Sequence, residues 1–151
     1  MKSKRFIAAT EADLPFIAEV YNENINALHG SHRSLDDWKR LLAKTETAYY
    51  IVHTEQPVAW FRIDREDGGF WLGMLQVKPC FFRQGIGGYI LSVAESMAKA
   101  EGFDKIGVHT TEDNLAALSL YTSAGYTVAE TGPCTTADGV ERLGYTLCKW
   151  L

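Results

Sequence analysis

The sequence predicts a mixed α/β fold: a mostly antiparallel sheet of seven strands with about four helices. Three observations predict it. Apolar residues recur at helical spacing in separate segments, as in Leu14, Ile17, Ala18, Tyr21, Ile25 and Leu28. Three β-rich runs, residues 48–54, 58–63 and 70–77, are joined by turns so short that the strands must be antiparallel neighbours. A strand end then passes through the Gly-rich stretch at residues 77–88 directly into a helix.

In order, residues 5–9 read as a first strand, and Thr10 caps a helix with Glu11 and Asp13 in its first turn. Pro15 lies near that start, where a proline is tolerated. Gly30 breaks the pattern, and Ser34 caps a second helix over residues 35–43, with Asp36 and Asp37 first and Trp38, Leu41 and Leu42 inward. The three-strand meander follows. Its turns carry Pro57 and the Asp67-Gly68-Gly69 run, and the charges of Arg62, Asp64, Arg65, Glu66 and Asp67 read as a surface cluster around the second turn. The third helix carries Ile86, Ile90, Val93 and Met97 on one face and stops near Gly102. Residues 103–110 form a strand. Asn114 caps a fourth helix that Gly125 closes, with so few polar residues that it should pack on more than one side. Residues 126–131 and 140–150 are the last strands, around a polar loop at 132–139.

At 151 residues the chain is expected to be one domain, and its 46% hydrophobic and 23% charged content is that of an ordinary globular protein. The formal charge of −4 argues against a nucleic-acid partner held by phosphate neutralisation. No apolar run is long enough to be a signal peptide or a membrane span. The odd set Cys80, Cys134 and Cys148 has no zinc spacing, so no metal is expected, and reduced thiols in a cytoplasmic protein are the better reading.

The stretch from Val77 to Gly88 has a chemistry of its own. Backbone N–H groups at a helix N-terminus, reinforced by the helix dipole, favour an anion. Gly85, Gly87 and Gly88 let a ligand reach the backbone without meeting a Cβ. A phosphate or pyrophosphate is the natural ligand; a plain connector needing positive φ is the alternative. A second pattern follows the fifth strand: Asn114, Ala117 and Tyr121 share one helix face, and Gly125-Tyr126 ends the segment.

With both motifs present, in this order and separation, and with two helices inserted after the first strand, the sequence resembles the GNAT superfamily of acetyl-CoA-dependent N-acetyltransferases along essentially its whole length. The resemblance implies a sheet splayed into a V between its fourth and fifth strands, with acetyl-CoA as co-substrate. It implies that the backbone of Leu75 and Val77 bonds pantetheine, and that the amides of Arg83, Gln84, Gly85, Ile86, Gly87 and Gly88 hold the pyrophosphate. Asn114 and Ala117 then lie beside the pantetheine, and Tyr121 faces the thioester sulfur as general acid. A homodimer is plausible by the same resemblance.

The reaction implied is direct attack of a primary amine of a small metabolite, an amino-acid-like compound or a peptide in a ternary complex. The amine must lose a proton from a group of pKa about 10.4, and a thiolate of pKa roughly 8–9 must leave. A phenol beside that sulfur serves as donor, a role worth about 10²–10⁴-fold. Phe82 stands where the family commonly has Arg or Gln. The fourth strand carries no Asp or Glu to act as base. His109 is the candidate base, since an imidazole's ordinary pKa near 6.5 suits the task; a structural histidine is the plainer reading. Glu23 and Tyr21, late in the first helix, are candidates for reading the acceptor amine, against a solvated helix face. The rival class is a non-catalytic acyl-CoA-binding sensor. A phosphate-binding domain unrelated to CoA is a third reading.

Overall fold

The computed structural model describes residues 3–151, apart from the side chains of residues 27 and 28, so the place of Leu28 in the first helical stripe lies outside the described residues. The strands are β1 Arg5–Ala8, β2 Thr47–His53, β3 Pro57–Glu66, β4 Gly69–Val77, β5 Lys105–Thr111, β6 Thr127–Thr135 and β7 Glu141–Trp150. The helices are α1 Leu14–Leu28, α2 Leu35–Leu42, α3 Ile86–Ala100 and α4 Leu115–Ser123. Thr10 caps a short 3-10 turn that leads into α1, and its N–H bonds the Asp13 carboxylate at 2.8 Å. Ser34 and Asp37 exchange the reciprocal bonds of a capping box at the start of α2 (3.1 and 2.9 Å).

The seven strands form one sheet in the order β1-β2-β3-β4-β5-β7-β6. Every neighbouring pair is antiparallel except β4 and β5. That parallel pair meets at only two positions, Trp71 opposite Gly107 and Leu72 opposite Val108. Beyond Leu72 the two strands part, and this is the expected splay. A bulge accompanies it: Ile63 of β3 lies opposite Leu72 and Arg62 opposite Met74, which leaves Gly73 as the extra residue of β4.

Each face of the sheet carries its own core. α3 lays Ile86, Ile90, Leu91, Ala94 and Ala98 on one face, against Phe61, Ile63, Phe70, Leu72 and Val108. On the other face α1 and α2 bring Leu14, Ile17, Val20, Tyr21 and Trp38 against Tyr49, Ile51 and Trp60. Each such large side chain contributes about 1.5–3 kcal/mol by leaving water. α1 and α2 make their main contacts to the sheet with β2, β3 and β4, so among the described residues no helix packs along the face of β5, β7 and β6 on that side.

Three expectations change. β3 runs on to Glu66, so Arg62, Asp64, Arg65 and Glu66 belong to a strand and not to a surface turn. Asp64 is buried and paired with Arg62 (2.7 and 2.8 Å). Strand alternation puts both side chains over Gly73, where an added Cβ would come within 2.0 Å of the Asp64 carboxylate. β6 continues to Thr135, through part of the segment read as a loop. α4 is packed less fully than its composition suggested: Tyr121 is its buried residue, and Leu115 is 73% exposed. The helix is nine residues long and rests on α3 through Leu120 and on the core through Tyr121, which leaves its other sides uncovered.

Candidate active site

The site begins with backbone. Lys78 N–H bonds Val58 C=O at 2.9 Å, so Val77, one residue earlier, points its own N–H and C=O away from β3. Leu75 has the same parity and does the same. Past Leu72 no β5 partner meets that edge, so β4 offers a short run of strand amides and carbonyls to the gap. One of them is already engaged: Asn24 of α1 donates its side-chain amide to Val77 C=O (2.9 Å) and to Gln76 Oε1 (3.2 Å).

The chain leaves β4 through a 3-10 turn at Pro79–Phe81 and reverses with Arg83 at φ 63° and Gly85 at φ 76°. Arg83 thus adopts a left-handed conformation that a non-glycine residue seldom takes. The first bond of α3 runs from Tyr89 N–H to Gly85 C=O (3.1 Å), leaving the amides of residues 85–88 without an intrahelical partner. The glycines divide the labour. Gly88 faces open space, so an anion can approach the backbone there. Gly87 instead admits Leu120 of α4, which would lie 3.0 Å from an added Cβ. Arg83 and Gln84 are exposed beside these amides, and Phe82 is 52% exposed.

Asn114 accepts the Ala117 N–H at 3.2 Å, so its carbonyl oxygen starts α4, and among the described residues no hydrogen bond engages its amide nitrogen. Ala117 packs against the core edge. Tyr121 is buried, and desolvation pushes its phenol up to about 12. It is therefore protonated throughout the neutral range and can serve there as an acid but not as a base. Its ring lies 6.0 Å from Tyr126, whose hydroxyl donates to Glu95 (3.0 Å).

His109 stands on the helix-free face of β5. Its ring stacks on Trp71 of β4 (4.6 Å, 11°), and Nδ1 lies 3.1 Å from Thr146 Oγ1 of β7. The stack depends on Gly107: a Cβ there would meet the indole at 2.3 Å. When Nδ1–H donates to Thr146, Nε2 keeps a lone pair for a proton. Thr146 gives no sign of itself in the sequence, and strand alternation leaves Trp71 open between the acceptor pocket and the core. The signal that could have found Trp71 was Gly107, a lone glycine inside a strand pattern, which marks close approach of another group.

The two candidates from α1 are otherwise employed. Tyr21 is buried, donates its hydroxyl to Ser31 C=O (3.0 Å) and packs edge-on against Trp38. Glu23, with Glu19, pairs with Lys78 (2.7 and 2.8 Å), and those contacts raise the lysine's pKa. Farther along, His29 bonds Asp113 (2.8 Å), and Arg142 bonds both Asp113 and Asp138 (2.9 Å each). This ties the end of α1 to the loops after β5 and β6.

The β4 edge past Leu72 thus runs into a turn with unpaired helix-start amides, with the buried phenol of Tyr121 on α4 and the imidazole of His109 on β5. The sequence profile of the acetyltransferase (GNAT) family matches residues 14–126. Among curated proteins nothing matches the sequence. Solved structures share the fold. A candidate phosphinothricin N-acetyltransferase is 18% identical with a TM-score of 0.85, over 99% of each chain. Spermidine N-acetyltransferase from Vibrio cholerae, solved with CoA and spermine, is 15% identical with a TM-score of 0.83, over 97% of this chain and 95% of that one. The ribosomal-protein-S18-alanine N-acetyltransferase from Escherichia coli is 17% identical with a TM-score of 0.77, over 97% and 92%. With the family profile covering most of its length, this chain belongs to the GNAT family of acetyltransferases.

Proposed function

We propose that the protein is an acetyl-CoA-dependent N-acetyltransferase that acetylates a primary amine by direct attack in a ternary complex. The observation that carries this reading is the parting of β4 from β5 beside the left-handed turn at Arg83 and Gly85. The residues present fit an acyl-CoA: a free strand edge for the pantetheine amides, and unpaired N–H groups at residues 85–88 for the pyrophosphate. Acetyl-CoA would supply an activated acyl carbon and a thiol leaving group.

Leu75 and Val77 orient the pantetheine through their backbones. At Val77 the N–H is the available group, because Asn24 holds the carbonyl. Arg83 and Gln84 lend side chains at the rim of the phosphate turn, while Asn114 and Ala117 border the pantetheine. Tyr121 is the donor to the departing sulfur. A phenol held near 12 beside a thiolate of pKa about 8–9 works chiefly by hydrogen bonding, since full proton transfer is uphill. His109, oriented by Thr146 and Trp71, takes the amine's proton at Nε2. An acceptor panel of alkyl amines, amino acids and peptides, with thiol release as the readout, tests the reading. CoA release with at least one amine is expected; tight acetyl-CoA binding with no release from any of them would leave only a sensor.

A further inference from the structure

On the helix-free face, β5, β7 and β6 enclose a hollow of about 360 Å³. That is the lower range for a small-molecule site. His109 forms one wall and Glu130 the other, with Thr146 between them. The register explains this row: His109 pairs with Thr146 across β5 and β7, and Thr146 with Glu130 across β7 and β6, so all three share one face. Gly132 lies opposite Gly144 on the same face, and the two supply a floor without side chains. A Cβ on Gly132 would meet nothing within 4 Å, so the hollow is kept open by the absence of a side chain and not by backbone strain.

The hollow has a sign. Glu130 is the formally charged residue in its lining, and the other side chains there are neutral hydroxyls, Cys134, Pro133, an imidazole and the Tyr145 phenol. Among the described residues no hydrogen bond or ion pair engages the Glu130 carboxylate. The neighbouring cation on β7, Arg142, is already bonded to Asp113, Asp138 and Thr136, so it does not neutralise the hollow. The exposed Glu130 carboxylate, two strand spacings or roughly 10 Å from the imidazole, gives that side of the hollow a negative charge that a cation can meet.

We propose that this hollow is a subsite for a second positive charge on the acceptor, so that the preferred substrates are diamines and related polycationic amines. One nitrogen would lie at His109, and an alkyl spacer over the glycine floor would bring the other to Glu130. An amino acid would instead bring a carboxylate into a hollow that Glu130 makes negative, and would offer no second positive charge to it. The inference rests on the acetyltransferase reading for the place of the reacting nitrogen.

The test compares 1,4-diaminobutane with butylamine and with alanine, in steady-state thiol release and in calorimetric binding to the enzyme without acetyl-CoA. The diamine should exceed butylamine by about tenfold in kcat/KM and in affinity at low salt, and the advantage should shrink as ionic strength rises. Glu130→Gln should remove most of that ratio; its site is an exposed edge strand, and a melting curve verifies folding. Gly132→Val, which fills the floor, should weaken diamine binding as well. An unchanged diamine-to-butylamine ratio in Glu130→Gln, with turnover intact, overturns the subsite and leaves the acetyltransferase reading standing. Glu130-dependent diamine binding without any thiol release upholds the subsite and overturns the enzyme reading instead.

Discussion

The two halves of the sheet differ in almost everything but hydrogen bonding. β2 to β4 are covered on both faces, though the edge strand β1 is exposed, and β3 is buried along most of its length, with Val58, Ala59, Trp60, Phe61 and Ile63 all sealed from water. β5, β7 and β6 are covered on one face only, and β6 is exposed or half-exposed along its whole length. The first half also supplies the strand edge and the helix start that would hold a cofactor common to the family. The second supplies His109, Glu130 and the glycine floor. Rigid packing thus stands beside the proposed cofactor edge, and a thin, solvent-facing sheet beside the proposed acceptor subsite.

That contrast can be broken by experiment. The largest effect should come from Trp60→Ala, which empties space among Trp38 and Tyr49 and should cost about 3–5 kcal/mol, measured by denaturant unfolding. Next, Tyr121→Phe should keep the fold and lower kcat by about 100-fold with little change in acetyl-CoA affinity. A variant as fast as the parent up to alkaline pH would remove Tyr121 from the chemistry. Smaller still is the acid response of the loops in the second half. Asp138 sits at about 2, below its ordinary 3.8, because the Thr136 hydroxyl, Arg142 and the Val140 amide bond its charged form. As pH falls, the unfolded chain takes up that proton first. The stabilisation is therefore whole above about pH 4 and is lost between pH 4 and 2. Melting curves should show Asp138→Asn less stable than the parent at pH 6, with the gap closing toward pH 2. The smallest change should be Val128→Ala on exposed β6, within about 0.5 kcal/mol. A loss comparable to Trp60→Ala would mean that the edge of β6 around Val128 is covered in solution.

Local chemistry was legible in the sequence. The Gly-rich turn, the Asn114 cap and the Ser34 capping box each lie within a few residues, and each forms where the residue types say it should. What could not be read depends on register between distant strands. Asp64 looked like a surface charge because its neighbours are charged; its burial needs Arg62 beside it and Gly73 across from it. Tyr21 and Glu23 looked available because a helix pattern alone does not reveal that Ser31 and Lys78 will claim them. The setting of His109 needs a tryptophan from β4 and a threonine from β7, brought together only by the sheet order.

The two-position seam between β4 and β5 has a mechanical side. Two residue pairs resist sliding along the strands far better than they resist twisting, so the halves form something close to a pivot. The indole of Trp71 lies over that pivot on Gly107, and the tie from His29 through Asp113 to Arg142 acts as a guy-rope some distance from it. With so short a main-chain ladder, the side chains at the margins of the gap and the core under α3 should carry much of the work of holding its width. Exchanging those side chains should therefore alter how far this sheet opens while leaving its strand order unchanged.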